Sequence, residues 1–575
     1  MPRTQDPEAP LVLSLDIGTS SVRAMIWDRN GDWVQGWETE IEHVMTTTPD
    51  GGVETSADEL FKRTVRCIDG VLALAGKHAS LIAAVGISTF WHSLLGVDAD
   101  GAALTPIYTW ADLRSQAAAE VLKERLDERA VHARTGAALH ASYLPAKLLW
   151  LSQAQPSLFR QARCWISFGE YLFLRLFGRT AVSVSMASGT GLMNQDTCTW
   201  DRQVLEALPI DAGQLSEIVD AGNASCGLAK KWAKRWPSLK DVAWYPALGD
   251  GACSNVGCNC VTRDRMALSV GTSAALRVTW EANGVPPPAG LWRYRLDREH
   301  IIVGGALSNG GNLVRWLRAT LRIGRRRDAA ESIASLQPDG HGLTVLPFLA
   351  GERNPDYRSD ARAAITGLGL TTTPLEIARA SLEAISYRIR LIHDLLTPVV
   401  PDAREIVVNG GAILKRPYWI QITADAVGKP LIASSEAEAT SRGAALMALR
   451  ALGELPSLED AADRLGSSYA PDLERYAIYT RAAARQQRLY DLLLNTPRAP
   501  DSVSPRPRAR RESNGSGRTV RRERARAAGA AAQPPRRRGA DGRYVNDRAP
   551  GGPPEAAAPD SAAASPSTRA AEAPS

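Results

Sequence analysis

The stretch LDIGTSSVRAMIWDRNG (Leu15–Gly31) returns, without gaps and 253 residues later, as LSVGTSAALRVTWEANG (Leu268–Gly284). The copies share Leu, Gly-Thr-Ser, Trp and Asn-Gly at matching places. Each reads as a short apolar strand, a Gly-Thr-Ser turn, a second strand and a closing Asn-Gly turn. Two related domains of about 250 residues, facing each other across a cleft, explain the repeat most simply.

Strand and helix signals alternate around the copies. Leu81–Thr89 and Ile301–Ala306 read as strands, the second leading through Ser308-Asn309-Gly310-Gly311 into a helix from Asn312. Ile406–Val408 is a strand ending in Asn409-Gly410-Gly411. Ser441–Leu452 is an Ala-rich helix with Gly453 as its stop. The pattern is α/β with mixed sheets.

The 575 residues are 44% hydrophobic and 23% charged, which excludes global disorder. No run approaches the roughly 20 apolar residues of a membrane span. Met1–Pro10 has no apolar signal core, so the expected compartment is the cytosol and no membrane partner is expected. Seven cysteines are too few and too irregular for a disulfide framework. Cys253, Cys258 and Cys260 read as small buried residues rather than metal ligands.

The net charge of +6 misleads. Residues 501–575 hold 15 Arg, no Lys and 8 acids, leaving a body of 53 basic and 54 acidic residues. The Arg/Pro/Ala-rich stretch 497–575 has no apolar periodicity and is expected to be disordered. Arg without Lys is a codon signature as much as a binding one. A solvated tail, or out-of-frame GC-rich sequence, is therefore favoured over a nucleic-acid tether, and the near-neutral body argues against nucleic acid as a partner.

Asp16 ends the first strand, where a carboxylate can hold a divalent cation. Gly18, Thr19 and Ser20 then offer backbone N–H groups and hydroxyls to a phosphate, and Arg23 can neutralise its charge. Alone this is an ordinary hairpin. The second copy, Gly271, Thr272 and Ser273, makes it a clamp on a polyphosphate, with Ser269 where the first copy has Asp16. Asp250 stands between Gly249 and Gly251 just before the second hairpin. Its small neighbours leave room for a substrate, and it can accept the proton of an attacking hydroxyl. His92, Trp110, Asp112 and Arg114 supply an aromatic face, acceptors and a cation suited to a polyhydroxylated substrate, an acid sugar especially. Gly410 and Gly411 allow close approach of a nucleoside. No GxxxxGK[ST] is present, which excludes the P-loop route.

These motifs resemble the FGGY family of carbohydrate kinases, of the actin-like ATPase superfamily, from about Leu11 to Tyr490. DIGTSSVRAMIWD is similar to the first phosphate motif and LSVGTSAALRV to the second. PALGDGACSNVG resembles the segment with the catalytic Asp. NGGAILKRPYWIQITADAVGKP with EATSRGAALMALRALG resembles the C-terminal signature, and LPFLAGERNPDYRSDARAAITGL another shared block. The resemblance implies two RNase H-like domains around a cleft, here 11–258 and 259–496. It implies ATP-dependent phosphorylation of a sugar, sugar acid or polyol with Mg2+. Asp250 takes the base role, Asp16 the metal-linked role and both turns the phosphate contacts. The run STFWHSLLGVDADGAALTPIYTWADLRS is most similar to the gluconokinase-type branch. Xylulokinases commonly read Gln-Met-His where this chain reads Phe-Trp-His, so Trp91 is expected to reshape the sugar pocket. Lys415-Arg416 departs from the small or serine residues usual in the adenosine signature. A ketose or polyol kinase of the same family is the alternative, followed by a catalytically silent sensor. A homodimer is compatible with the sequence.

Overall fold

The repeated stretch forms the same hairpin twice. In the computed structural model, which describes residues 7–323 and 327–495, the first copy is β1 (Leu11–Ile17) and β2 (Ser21–Trp27). It continues into β3 (Trp33–Glu42), and β4 (Ile82–Thr89) runs parallel to β1 on its other side. Two short strands, β5 (Ala243–Trp244) and β6 (Leu248–Gly249), complete the sheet beside β4, giving the order β5-β4-β1-β2-β3. The second copy is β7 (Arg265–Val270) and β8 (Ala274–Glu281). It is joined by β9 (Trp292–Arg295), β10 (His300–Leu307), β11 (Glu405–Asn409), β12 (Leu431–Ser434) and β13 (Leu465–Tyr469), in the order β9-β10-β8-β7-β11-β12-β13. In both sheets an antiparallel hairpin leads the chain and a later strand pairs in parallel with its first member. The internal echo in sequence is therefore an echo in topology. The expected tail, 497–575, lies outside the described residues.

Pleating sorts β1 by parity. Leu11, Leu13 and Leu15 face the core filled by α1 (Ala57–Ala75), whose buried Leu60, Phe61, Thr64, Val65, Ile68 and Val71 form one helical stripe. Ser56 caps that helix by accepting from the Glu59 N–H. The opposite face carries Val12, Ser14 and then Asp16, turned toward the middle of the molecule.

Two helices fill that middle. The first, α2 (Asp250–Gly257), follows the first sheet. A long buried helix, α4 (Pro374–Leu396), lies on the second sheet beyond α3 (Gly311–Thr320), and α5 (Ala439–Leu452) follows β12. α2 and α5 cross at van der Waals distance because the crossing points are glycines. A Cβ on Gly257 would stand 1.8 Å from the Ala439 carbonyl oxygen, and one on Gly443 1.8 Å from that of Cys253. α5 also lies against β4, where a Cβ on Gly86 would meet the Ala444 carbonyl at 2.2 Å. The strand ends carrying Asp16 and Asp250 are thereby held together. Cys253, Cys258 and Cys260 are free and buried at this junction.

The chain between β4 and β5 builds a separate layer around Leu94, Tyr108, Leu148, Leu151 and Trp165. It delivers Trp110, His140 and Ser142 to the cleft. Among the described residues no helix is long and apolar enough to cross a membrane.

Candidate active site

Asp16 sits at the end of β1, opposite Arg23 on β2 and Ser88 on β4. Burial pushes its carboxyl up to about 7; Arg23 pulls it down, while Asp250 and Glu438 add to the rise. Asp16, Asp250 and Glu438 are therefore close enough to interact, and Arg23 is the guanidinium that acts on Asp16. That guanidinium is engaged: Arg23 binds Glu40 at 2.6 Å and also pairs closely with Glu438, just before α5.

Asp250 opens α2, so the helix N-terminus favours its ionised form, and its Oδ1 accepts from the Gly251 N–H at 2.7 Å. Burial raises its pKa; Arg277 and, more weakly, Arg353 lower it. The flanking glycines were expected to make room for substrate. The structure fills that room with protein. A Cβ on Gly249 would stand 1.9 Å from the Trp91 indole, and one on Gly251 2.5 Å from Arg277 Nη1 and 2.6 Å from Trp91. Trp91, which donates its indole N–H to the Ser185 carbonyl at 2.9 Å, forms the bed under Asp250. Arg277 is buried on β8 and donates to Asn255 Oδ1 (3.1 Å) and Ser269 Oγ (2.6 Å).

Two cavities adjoin at the Gly-Thr-Ser turns, and neither Asp16 nor Asp250 stands in the wall of either. One, about 870 Å³, is walled by Thr19, Ser20, Trp110, His140, Ser142 and Arg353 among others. The other, about 900 Å³, is walled by Gly271, Gly411, Arg318, Lys415 and Arg416 among others. They share Ser20, Thr272 and Arg315, so a residue from each Gly-Thr-Ser turn lies in their common wall. The second turn is anchored to α3: the Gly311 N–H donates to the Gly271 carbonyl (2.8 Å) and that of Asn312 to Thr272 (3.0 Å). Gly18 and Ser273 close their respective turns through backbone hydrogen bonds, Gly18 N–H to the Ser21 carbonyl and Gly271 N–H to the Ser273 carbonyl. Gly410 has φ +95° and no space for a Cβ, which would meet the Val270 carbonyl at 2.6 Å.

Trp110 faces the first cavity. Asp112 and Arg114 do not line it. Asp112 is buried, accepting from the Val53 N–H (3.1 Å) and from Arg114, whose guanidinium also pairs with Glu54 and lies over Tyr108 and Trp150. The pair braces the loop from behind, and Arg114 is not the free cation the sequence suggested. His92 has a left-handed backbone (φ 59°), a conformation that persists at functional positions. Its Nδ1 contacts the Gly189 carbonyl, which only accepts, so Nδ1 carries the proton and Nε2 offers a lone pair. Burial, then Arg353, holds this imidazole neutral. His140 is likewise neutral, pushed down to about 3 by burial and Arg353, and bonds Ser359 Oγ at 2.7 Å.

Sequence reasoning missed Arg353, His140, Arg315 and Glu438. Arg353 lies within the quoted shared block, but nothing in its spacing links it to His92, 261 residues away.

Residues 11–257 match the N-terminal domain of the FGGY family of carbohydrate kinases, and residues 266–452 match its C-terminal domain. The chain belongs to the FGGY family. It is thus a phosphotransferase with an alcohol group as acceptor, acting on a small carbohydrate. This FGGY kinase is 27% identical over 470 residues to a gluconokinase of Bacillus subtilis (strain 168), covering 80% of this chain and 91% of the relative. Its structure is similar to that of gluconate kinase from Lactobacillus acidophilus (TM-score 0.77, 28% identity, 84% of this chain and 98% of that one). It is equally similar to a ligand-bound xylulose kinase from the same organism (TM-score 0.77, 27% identity, 84% and 99%).

Proposed function

We propose that this FGGY kinase transfers the γ-phosphoryl group of ATP to a hydroxyl of a sugar acid, gluconate first among them, with Mg2+. The observation that carries the reading is the pair of adjoining cavities, whose shared wall holds Ser20 and Thr272 from the two turns. A sugar in one and a nucleotide in the other would present hydroxyl and phosphate across that wall. The gluconokinase relatives support the sugar acid.

Catalysis then follows from positioning and charge. Asp250 accepts the proton of the attacking hydroxyl; its buried carboxyl is kept usable as a base by Arg277, the α2 N-terminus and the Gly251 N–H. The turns supply hydroxyl and N–H donors to the phosphates, and Gly410 and Gly411 shape the nucleoside side. The donor set fits a divalent cation, because Asp16 is held near neutrality beside two further carboxylates whose charge such an ion offsets. Asp16 would hold Mg2+, which neutralises phosphate charge when bound. The second reading, a ketose kinase, draws on the equal likeness to xylulose kinase.

Asp250→Asn is expected to lower kcat by about 10²–10⁴-fold while leaving sugar affinity nearly unchanged. ADP release measured against gluconate, xylulose and glycerol checks it. Undiminished turnover in the variant would remove Asp250 from the base role; a dominant xylulose signal in the wild type would move the substrate to the ketoses.

A further inference from the structure

Of four cations near the proposed sugar side that do not reach the second cavity, three are spent and do not line the first; Arg315, in the wall shared by both cavities with Thr272, is left to the phosphate side. Arg114 is bound to Asp112 and Glu54. Lys147 is buried and donates to the Ala141 (2.6 Å) and Ser142 (2.7 Å) carbonyls. Arg277 is held by Asn255 and Ser269. The fourth is Arg353.

Among the described residues no carboxylate stands within ion-pair distance of Arg353. Its neighbour Glu352 is turned to Arg388 and Tyr490. Its guanidinium carbon lies 5.4 Å from the centroid of the Trp110 ring, its Nη2 is 3.4 Å from His92 Nε2, and its Nε is buried without a hydrogen-bond partner. A guanidinium has five donors and no acceptor, so an uncompensated one inside a cleft is costly unless an anion completes it. The groups around it cannot do so: His92 and His140 are neutral, and Ser142 and Ser359 are uncharged. Arg353 is also too far from Asp250 to pair with it, yet close enough for its charge to lower that carboxyl. A gap between base and cation is what a small molecule with a hydroxyl at one end and an anion at the other would fill.

We propose that Arg353 is the specificity-determining residue of this kinase, binding the carboxylate of its acid-sugar substrate in the cavity floored by Trp110. This rests on the sugar-acid reading above. The guanidinium lies against the Trp110 ring in the wall of the cavity, and its planar fork suits a two-pronged contact with a planar carboxylate. His92 and His140 are neutral and do not compete for the acid, and Arg315, the other cation in the wall, lies at the boundary with the second cavity.

The test compares gluconate with D-glucitol, the same carbon chain with –CH2OH in place of the carboxylate, read as substrate or as competitive inhibitor. Wild type, Arg353→Gln and Arg353→Lys are assayed with thermal melting and ADP binding as checks on folding. Arg353→Gln is expected to raise the gluconate KM about 10–100-fold, with the glucitol constant within about twofold and ADP binding unchanged. Arg353→Lys, which keeps the charge and loses the fork, should fall between and carries the comparison if the Gln variant melts. Equal losses for acid and polyol, or no change for either, would overturn the proposal. Wild type that ignores gluconate and phosphorylates a neutral sugar would overturn the sugar-acid reading and this inference with it; that failure is visible before any variant is made.

Discussion

The two Gly-Thr-Ser hairpins have the same backbone plan and opposite chemistry. In the first, the strand ends in Asp16, a half-buried carboxylate poised near neutrality at the cleft. In the second, the matching residue is Ser269, tied to Ser254 Oγ (3.0 Å) and to Arg277 beneath it. Each copy also has an arginine on its second strand, but Arg23 is clasped by Glu40 and Glu438, whereas Arg277 is buried near Asp250 with no carboxylate in ion-pair contact among the described residues. In the proposed function both turns supply phosphate donors. The residue two positions before the glycine makes the difference: a carboxylate proposed as a cation ligand on one side, and a hydroxyl that holds Arg277 beside Asp250 on the other.

The greatest effect should come from removing the carboxylate that makes the copies unequal. Asp16→Asn is expected to reduce kcat about 100-fold or more. The same variant should make the ligand-free protein more stable at pH 8. With the folded pKa raised to about 7 from 3.8, the native state holds its proton through pH 4–7 while the unfolded chain has released it. Stability therefore falls as pH rises through that window, and the variant escapes the fall. Melting curves at pH 4 and pH 8 should show a gain of roughly 1–3 kcal/mol only at the higher pH. A variant less stable at both would contradict the placement of Asp16.

Arg277→Met tests the other hairpin. Losing the nearest cation raises the pKa of Asp250, so the acid limb of the kcat/KM profile should move up by about one unit, costing about tenfold below the limb and little above it. An unmoved limb with uniformly low activity would mean Arg277 only supports the fold. The smallest effect is expected for Ser269→Ala: less than about tenfold in kcat and about 1 kcal/mol in stability, from hydrogen bonds lost by Arg277 and Ser254. If it matched Asp16→Asn in turnover, the hairpins would not differ as described.

Much of this was legible in the chain. The repeat predicted two similar sheets, because a strand–turn–strand of apolar residues around Gly-Thr-Ser makes the same local hydrogen bonds wherever it occurs. Asp16 and Asp250 stood out by position: Asp16 precedes a turn that recurs in the second copy, and Asp250 stands between two glycines just ahead of that copy, whereas either carboxylate alone reads as an ordinary turn residue. The helix at α5 was marked by its composition and by Gly453, which closes it in the left-handed conformation. Sequence misled where a side chain's partner is remote. Gly249 and Gly251 looked like space for a ligand and are space for Trp91, more than 150 residues earlier. Arg114 looked like a free cation, though Asp112 stands two residues before it and Glu54 arrives from a different strand.

Local sequence thus decided the elements and the repeat and singled out Asp16 and Asp250 as candidates, since these depend on short-range geometry and residue chemistry. Which charges are spent and which are left for a ligand was decided by the assembled molecule. Charge compensation depends on distance in space: Arg23 meets Glu438 across 415 residues of chain, and Arg353 reaches the cleft beside His92 across 261.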